Sequence, residues 1–181
     1  LGNVNPNSYT IPLLTEQTLV TKSVEFVPAV YKAIGEVVDN ALDEFAQISS
    51  KNKVLKITAD PIKGLYVVAD NGRGIPIETK MEVIGKTQKE VYIPELALSR
   101  LRAGRNFTDE KEIVTRDNKK YYQKFTDGAN VISKPKIIDA PSNITGTAVK
   151  FQLDTSVFKT VSLPDELMRN RAIEIAMTNP D

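Results

Sequence analysis

Glu36, Asn40 and Asp43 recur at i, i+4 and i+7, a spacing that places two carboxylates and an amide on one face of an α-helix. Val30, Ile34, Val37, Val38, Ala41, Leu42 and Phe45 fill the rest of that helix surface. A helix this apolar is expected to be buried, and a buried Glu, Asn or Asp is costly unless a polar group meets it. For a lone Glu or Asn the ordinary account is a satisfied core amide beside solvated carboxylates. Further on, Asp70-Asn71-Gly72-Arg73-Gly74-Ile75-Pro76 follows the strand-like run Leu65-Tyr66-Val67-Val68-Ala69. Taken alone, its glycines mark a tight turn in which they supply positive φ. The chain has no histidine and no cysteine. A catalytic base must therefore be a carboxylate or a lysine, and disulfides, thiolate zinc sites and cysteine nucleophiles are excluded.

The elements that would position these residues can be read from the pattern. Pro28 suits the first turn of a helix running to about Gln47. Lys53 to Ala59 reads as a strand joined through Asp60-Pro61-Ile62-Lys63-Gly64 to the strand 65–69, a hairpin that delivers Asp70 to the edge of the sheet. Residues 1–24 begin turn-rich and become Thr/Val-rich from Thr10, which predicts an N-terminal extended arm or edge strand. After Pro76 the chain is polar through Lys89 with little periodicity, as in a loop with some helical turn. Pro94 opens a helix that stops at Ala103-Gly104. From Lys119 three strands are expected, at 119–125, 129–133 and 146–153, and Pro164 starts an amphipathic helix.

With 181 residues and 41% hydrophobic content, a single domain spanning 1–181 with a real core is the natural count. Lysine and arginine total 24 against 23 aspartates and glutamates, so no global basic field exists of the kind that dominates non-specific nucleic-acid binding. No apolar run approaches a membrane span and no leader opens the chain, so no membrane is expected as a partner and the cytoplasm suits the composition. Leu1 is not a methionine, which suggests a start inside a longer protein.

Together, Glu36-x-x-Asp39-Asn40-Ala41 on a helix and Asp70-x-Gly72-x-Gly74-Ile75-Pro76 after the next hairpin resemble the first two motifs of one ATP-binding fold. It is shared by gyrase-type topoisomerases, the ninety-kilodalton chaperone, histidine kinases and mismatch-repair ATPases. Leu101-Arg102-Ala103-Gly104-Arg105-Asn106-Phe107 resembles the Leu-x-Ala-Gly-Gly-x-Phe element of type II topoisomerase ATPase domains, and the chaperone and mismatch-repair relatives carry other residues there. Arg105 and Asn106 stand where bacterial gyrases usually show Gly and Lys. The run from Asn106-Phe107 into Thr108-Asp109-Glu110-Lys111-Glu112 looks closer to phage large subunits of the T4 type.

The resemblance implies an α+β two-layer sandwich of the Bergerat type: a mixed, mostly antiparallel sheet with helices on one face and ATP held between. Glu36 matches the general base that activates water, a role burial would favour by raising its pKa. Asn40 matches the Mg²⁺ ligand, Asp70 the acceptor for the adenine amino group, and Thr147 the threonine at the same adenine edge. Gly72 and Gly74 let the backbone approach ATP, Ile75 and Pro76 form an apolar wall, and Leu98 faces the base. Arg73 and Glu44 resemble a pair closing one side of the pocket, while Gly104, Arg105 and Asn106 would lie near the phosphates. Asp39 is expected to orient Glu36 or cap a loop, and Asp43 to be structural.

The family's second glycine-rich motif, on a lid over the phosphates, has no counterpart near 111–116, where the chain already reads as strand. The expected function is thus the ATP-binding and ATP-hydrolysing domain of a type II DNA topoisomerase, with turnover impaired by the lid's absence. Its partners would be ATP, a second copy on nucleotide binding, DNA through the full-length enzyme, and the remaining topoisomerase domains or subunits, in a bacterial or phage-infected cell. The alternatives are another ATPase of the superfamily, chaperone-like or mismatch-repair-like, and a non-catalytic nucleotide-binding or dimerisation module.

Overall fold

The computed structural model describes residues 3–15, 18–49, 51–101, 107–128 and 130–179. In chain order the elements are β1 (Asn7–Leu14), β2 (Leu19–Phe26), α1 (Pro28–Ala46), β3 (Leu55–Asp60), β4 (Leu65–Asp70), β5 (Thr79–Ile84) and β6 (Thr87–Tyr92). There follow α2 (Ile93–Leu101), β7 (Phe107–Arg116), β8 (Lys119–Thr126), β9 (Val131–Ile132), β10 (Lys136–Asp139), β11 (Gly146–Leu153) and α3 (Asp165–Thr178).

Seven strands form the main sheet in the order β10-β8-β7-β11-β4-β3, with β9 pairing the end of β8. Every pairing is antiparallel, so the sheet is less mixed than expected. Period-2 alternation sets the inner face: Tyr66 and Val68 of β4, Tyr121, Gln123 and Phe125 of β8, and Val149, Phe151 and Leu153 of β11 are all buried. Helix α1 packs against β4 and β11 and contributes Ala29, Val30, Ala33, Ile34, Val37 and Val38 to the same core. Its N-terminal proline occupies the first turn, where the missing N–H costs nothing. Gln123 is fully buried but satisfied: its amide donates to Glu95 Oε2 on α2 at 2.7 Å and to Ser133 O at 2.9 Å, and it accepts from the Tyr121 hydroxyl. That network ties α2 to the inner face.

The sequence reading needs correction in several places. The N-terminal arm is a hairpin, β1 paired with β2 from Asn7↔Phe26 to Leu14↔Leu19, and Leu13, Val24 and Phe26 bury one side of it. Residues 79–92 form a second hairpin, β5 with β6, rather than a loop. Met81 and Val83 on it are exposed and Val91, near the end of β6, is buried, so the strands lack the sustained alternation that would mark them. A fourth late strand, β10, went unpredicted for the same reason, since all four of its residues are exposed. Strand β7 runs from Phe107 to Arg116 between β8 and β11, so residues 111–116 lie within the sheet. No described helix is long and apolar enough to cross a membrane.

Candidate functional site

Strand β11 is inserted between β4 and β7, and this places Asp70, the last residue of β4, directly opposite Thr147. A cavity of about 710 Å³ opens there between α1 and the sheet, lined among others by Asn40, Glu44, Asp70, Arg73, Gly74, Ile75, Pro76 and Thr147. Eight of the residues singled out in the sequence thus converge, although they come from positions 40 to 147 of the chain.

Asp70 sits at the centre. Its Oδ1 accepts from the Gly72 N–H at 2.8 Å and from the Thr147 N–H at 3.3 Å, and among the described residues Oδ2 has no hydrogen-bond partner. Burial pushes the Asp70 carboxyl above its ordinary value; the two N–H donors pull the other way, and the Glu44 charge adds to the rise. Glu44 behaves oppositely. Its carboxylate takes a two-pronged grip from Arg73, Oε1 to Nε at 2.8 Å and Oε2 to Nη2 at 2.9 Å, and Oε1 also accepts the Arg73 backbone N–H at 2.9 Å. This side-chain pairing, first among the causes, holds Glu44 below the ordinary carboxylate range. The expected Glu44–Arg73 pair is therefore formed, and it walls one side of the cavity.

Gly74 adopts φ +72°, and a Cβ there would lie 2.6 Å from Thr115 O, so the turn can press against β7 only as glycine. Ile75 and Pro76 continue the wall, with Val37, Ala41, Val68, Ala97 and Val149 supplying further apolar lining.

The acidic face of α1 is more open than its sequence implied. Glu36, Asn40 and Asp43 are all exposed; Asn40 and Asp43 line the cavity, whereas Glu36 does not. Glu36 lies one turn from Asn40 outside the cavity lining and forms a 3.7 Å ion pair with Lys32. The expected burial is absent, since about half of the Glu36 side chain, 51%, is accessible. Asn40 Nδ2 donates to Glu36 O at 2.6 Å, which fixes the amide and leaves Oδ1 available. Asp43, expected to be structural, lines the cavity. Asp39 pairs with Arg171 of α3 at 2.7 Å, and among the described residues its carboxylate has no hydrogen bond to Glu36 or to a loop.

Gly72 borders the site through its N–H. The Leu98 side chain and residues Gly104, Arg105 and Asn106 lie outside the described residues. Sequence reasoning missed Arg116, which lines the cavity and donates from Nη1 to Gly74 O at 2.8 Å. It follows β7 with no motif around it, and only the sheet register brings it to the turn. Asn71 was read as part of the turn alone, yet it staples the turn to β3's approach, accepting from Val54 N at 2.7 Å and donating to Asn52 O at 2.7 Å.

For a divalent cation the donor set fits a shared site rather than a cage. Among the described residues no group of three His, Cys, Asp or Glu side chains could hold a metal. The neutral Asn40 Oδ1 at the cavity mouth suits an ion whose other positions are filled by phosphate oxygens and water, as Mg²⁺ prefers.

The fold is that of the ATPase regions of DNA topoisomerase II. The ATPase region of the Saccharomyces cerevisiae enzyme superposes with a TM-score of 0.77 at 21% identity, covering 96% of this chain and 52% of that one. The ATPase and transducer domains from Balamuthia mandrillaris give 0.79 at 20%, covering 97% and 52%. In sequence the chain is similar to DNA topoisomerase 2 of Pisum sativum, 26% identical over 97% of this chain, and of Candida albicans, 29% identical over 90%. It spans only 14% and 12% of those two proteins. The stretch matched in the Pisum sativum protein covers 204 positions, more than the 181 residues of this chain, so the relative carries residues there that this chain does not. No family model matches the chain.

Proposed function

We propose that this chain binds ATP in the cavity between α1 and the sheet, hydrolyses it with Glu36 as the base, and serves as the ATPase domain of a type II DNA topoisomerase. The observation that carries the proposal is Asp70, whose Oδ1 is held by two backbone N–H groups while Oδ2 is left as an acceptor in an apolar cavity. An adenine amino group would donate to it. Guanine would set a carbonyl against a carboxylate, so selectivity comes from repulsion as much as attraction. Thr147, paired with Asp70 across the strands, would meet the same base edge.

Asn40 would hold Mg²⁺, which would neutralise charge on the phosphates. Glu36, one turn before it, has a solvent-facing carboxylate that can accept a proton from water approaching the terminal phosphate. Gly72, Gly74, Ile75 and Pro76 would line the nucleotide, with Leu98 against the base and Gly104, Arg105 and Asn106 toward the phosphates. In a longer protein, two ATP-bound copies would close into a gate for a DNA duplex, and hydrolysis would reopen it. The Asn106-Phe107 run into Glu112 favours a phage-type member acting in a bacterial cytoplasm.

A second reading rests on β7. The family's glycine-rich lid has no counterpart near residues 111–116, which are strand, and this favours a module that binds nucleotide with slow turnover.

Calorimetric titration with a non-hydrolysable ATP analogue and Mg²⁺, against a GTP analogue, tests the pocket. Adenine-selective binding lost in Asp70→Ala is the expected result, and a folded chain that binds neither nucleotide would overturn the proposal. Hydrolysis abolished by Glu36→Ala with binding retained would select the enzyme over the second reading.

A further inference from the structure

The near-neutral net charge of +1 conceals a one-sided distribution. The described helices lie on the inner face of the main sheet, with the acidic residues of α1 and the cavity. The outer face has no such cover. Directly opposed residues of neighbouring antiparallel strands share a face, so the register fixes what that surface displays. On β8, with Tyr121, Gln123 and Phe125 turned inward, Lys120, Tyr122 and Lys124 point outward. Lys136 of β10 stands opposite Tyr122. Lys124 is aligned through Lys111 of β7 with Lys150 of β11, and Lys150 with Val67 of β4. Lys56 of β3 stands opposite Ala69 of β4.

Lys56, Lys136 and Lys150 are exposed, and Lys120 is half-exposed. None of these four makes an ion pair among the described residues. Among the residues whose side chains are described, the register places one acidic residue on the same face, Asp60, and it is already paired with Lys63 at 3.2 Å. From β8 to β3 the face spans four inter-strand steps, roughly 19 Å, and Lys120 and Lys124 are roughly 13 Å apart along their strand. That second spacing is close to the width of about 12 Å across the B-DNA major groove, whose rims are phosphate backbones.

We propose that the outer face of this sheet is a docking surface for the phosphate backbone of duplex DNA. Lysines spread over a flat, shallow sheet, with no cleft to enclose a side chain, suit a regular line of phosphates better than an acidic peptide. Binding is sequence-independent, because no element projects toward a groove and phosphate contacts carry no base information. It does not use the nucleotide cavity, which lies on the opposite face, so it stands or falls separately from ATP binding.

The test is fluorescence anisotropy of a labelled short duplex titrated with the full chain between about 50 and 200 mM salt. Binding in the micromolar range is expected at low salt, falling steeply as salt rises. Lys120→Glu/Lys150→Glu should weaken it at least about tenfold and flatten the log–log salt slope by about 2. Lys86→Glu/Lys89→Glu on the β5–β6 hairpin makes the same change in net charge elsewhere and should weaken it less than about threefold. Equal losses in the two double variants would overturn the proposal, as would wild-type affinity in the sheet variant. A polyglutamate competitor that displaces the duplex more effectively, charge for charge, than unlabelled duplex would assign the face to an acidic protein instead. The milder Lys120→Gln/Lys150→Gln gives the same reading if charge reversal impairs folding, and retained ATP-analogue binding would show that either variant keeps an intact inner face.

Discussion

Gly146 lies so close to the Asp70 carbonyl that a Cβ on it would overlap that oxygen, and its φ of +143° is one that residues with side chains rarely adopt. The two facts have one structural origin. Strand β11 begins where β4 ends, and Thr147 can reach the Asp70 carboxylate only if the preceding residue passes flush against the Asp70 backbone. Gly146→Ala should therefore do more than strain one residue. It should displace Asp70 from the Thr147 N–H, costing about 1–3 kcal/mol of stability and weakening ATP-analogue binding in parallel. Urea unfolding and calorimetry on the same variant check both, and a purely local strain would lower stability while leaving affinity intact.

Asp70 and Glu44 are carboxylates of one cavity displaced in opposite directions, and acidification should separate them. Asp70, raised by burial, takes up its proton at a pH above the ordinary aspartate value of 3.8. Its raised pKa means that the folded state binds this proton more tightly than the unfolded chain, so Asp70 itself favours folding as pH falls through that range. Ligand binding runs the other way, because a neutral carboxyl is a poorer acceptor for an adenine amino group. Glu44, lowered by Arg73, contributes stability that is present above its ordinary 4.5 and is lost only as pH falls below that value. Nucleotide affinity should thus decline at a pH where the Glu44–Arg73 pair is still intact. Calorimetry across this range, with Asp70→Asn as the control, should show a decline in the parent and a weaker, nearly flat profile in the variant.

How far the sequence revealed this site depended on whether local spacing carried the signal. The helix stripe and the Asp70-Asn71-Gly72-Arg73-Gly74 turn were legible because residue types at fixed offsets specify them, and the Glu44–Arg73 pair only through the family resemblance. Arg116 was not, since nothing near it in sequence announces that β7 will run beside the turn. For Glu36 the apolar residues around it predict burial, yet its carboxylate lies in solvent beside Lys32, because the core takes up only the apolar side of α1. The hairpin β5–β6 and strand β10 escaped for a different reason. Apart from Val91 near the end of β6, none of their described side chains is buried, so little burial pattern is written into them, whereas β8 and β11 alternate cleanly because one face is core.

Arg116 holds the Gly74 carbonyl where the turn packs against β7 and also sits 3.4 Å from Asp117. Its removal should loosen the Gly74-Ile75-Pro76 wall without opening the core. Arg116→Ala is expected to cost about 1 kcal/mol or less of stability, since the side chain is 30% exposed, but to weaken ATP-analogue affinity roughly three- to tenfold through a disordered wall. Arg116→Lys, which keeps the charge but not the planar fork, should recover only part of it. Full recovery by lysine would mean that charge alone, and not the hydrogen bond to Gly74, is what the site needs.

Helix α3 grips two other elements, and the grip on α1 is the one that bears on catalysis. Arg171 pairs with Asp39 at 2.7 Å and with Glu174 at 3.6 Å, while Asn170 Oδ1 accepts from Leu14 N at 3.3 Å on the N-terminal hairpin. Asp39 sits between Glu36 and Asn40, so whatever fixes Asp39 also fixes the rotation of the helix turn that carries the proposed base and the amide. The pair is partly exposed, with Asp39 58% accessible, and in isolation such a pair is worth about 0.2–1 kcal/mol. A double-mutant cycle of Arg171→Ala and Asp39→Ala should return a coupling in that range at low salt, shrinking as ionic strength rises to about 1 M and the Debye length falls. If α3 positions the turn, Arg171→Ala should lower kcat for ATP hydrolysis while leaving KM nearly unchanged, because the base is displaced and the adenine site is not. Equal changes in both constants, or none in either, would reduce the pair to a surface contact between two helices.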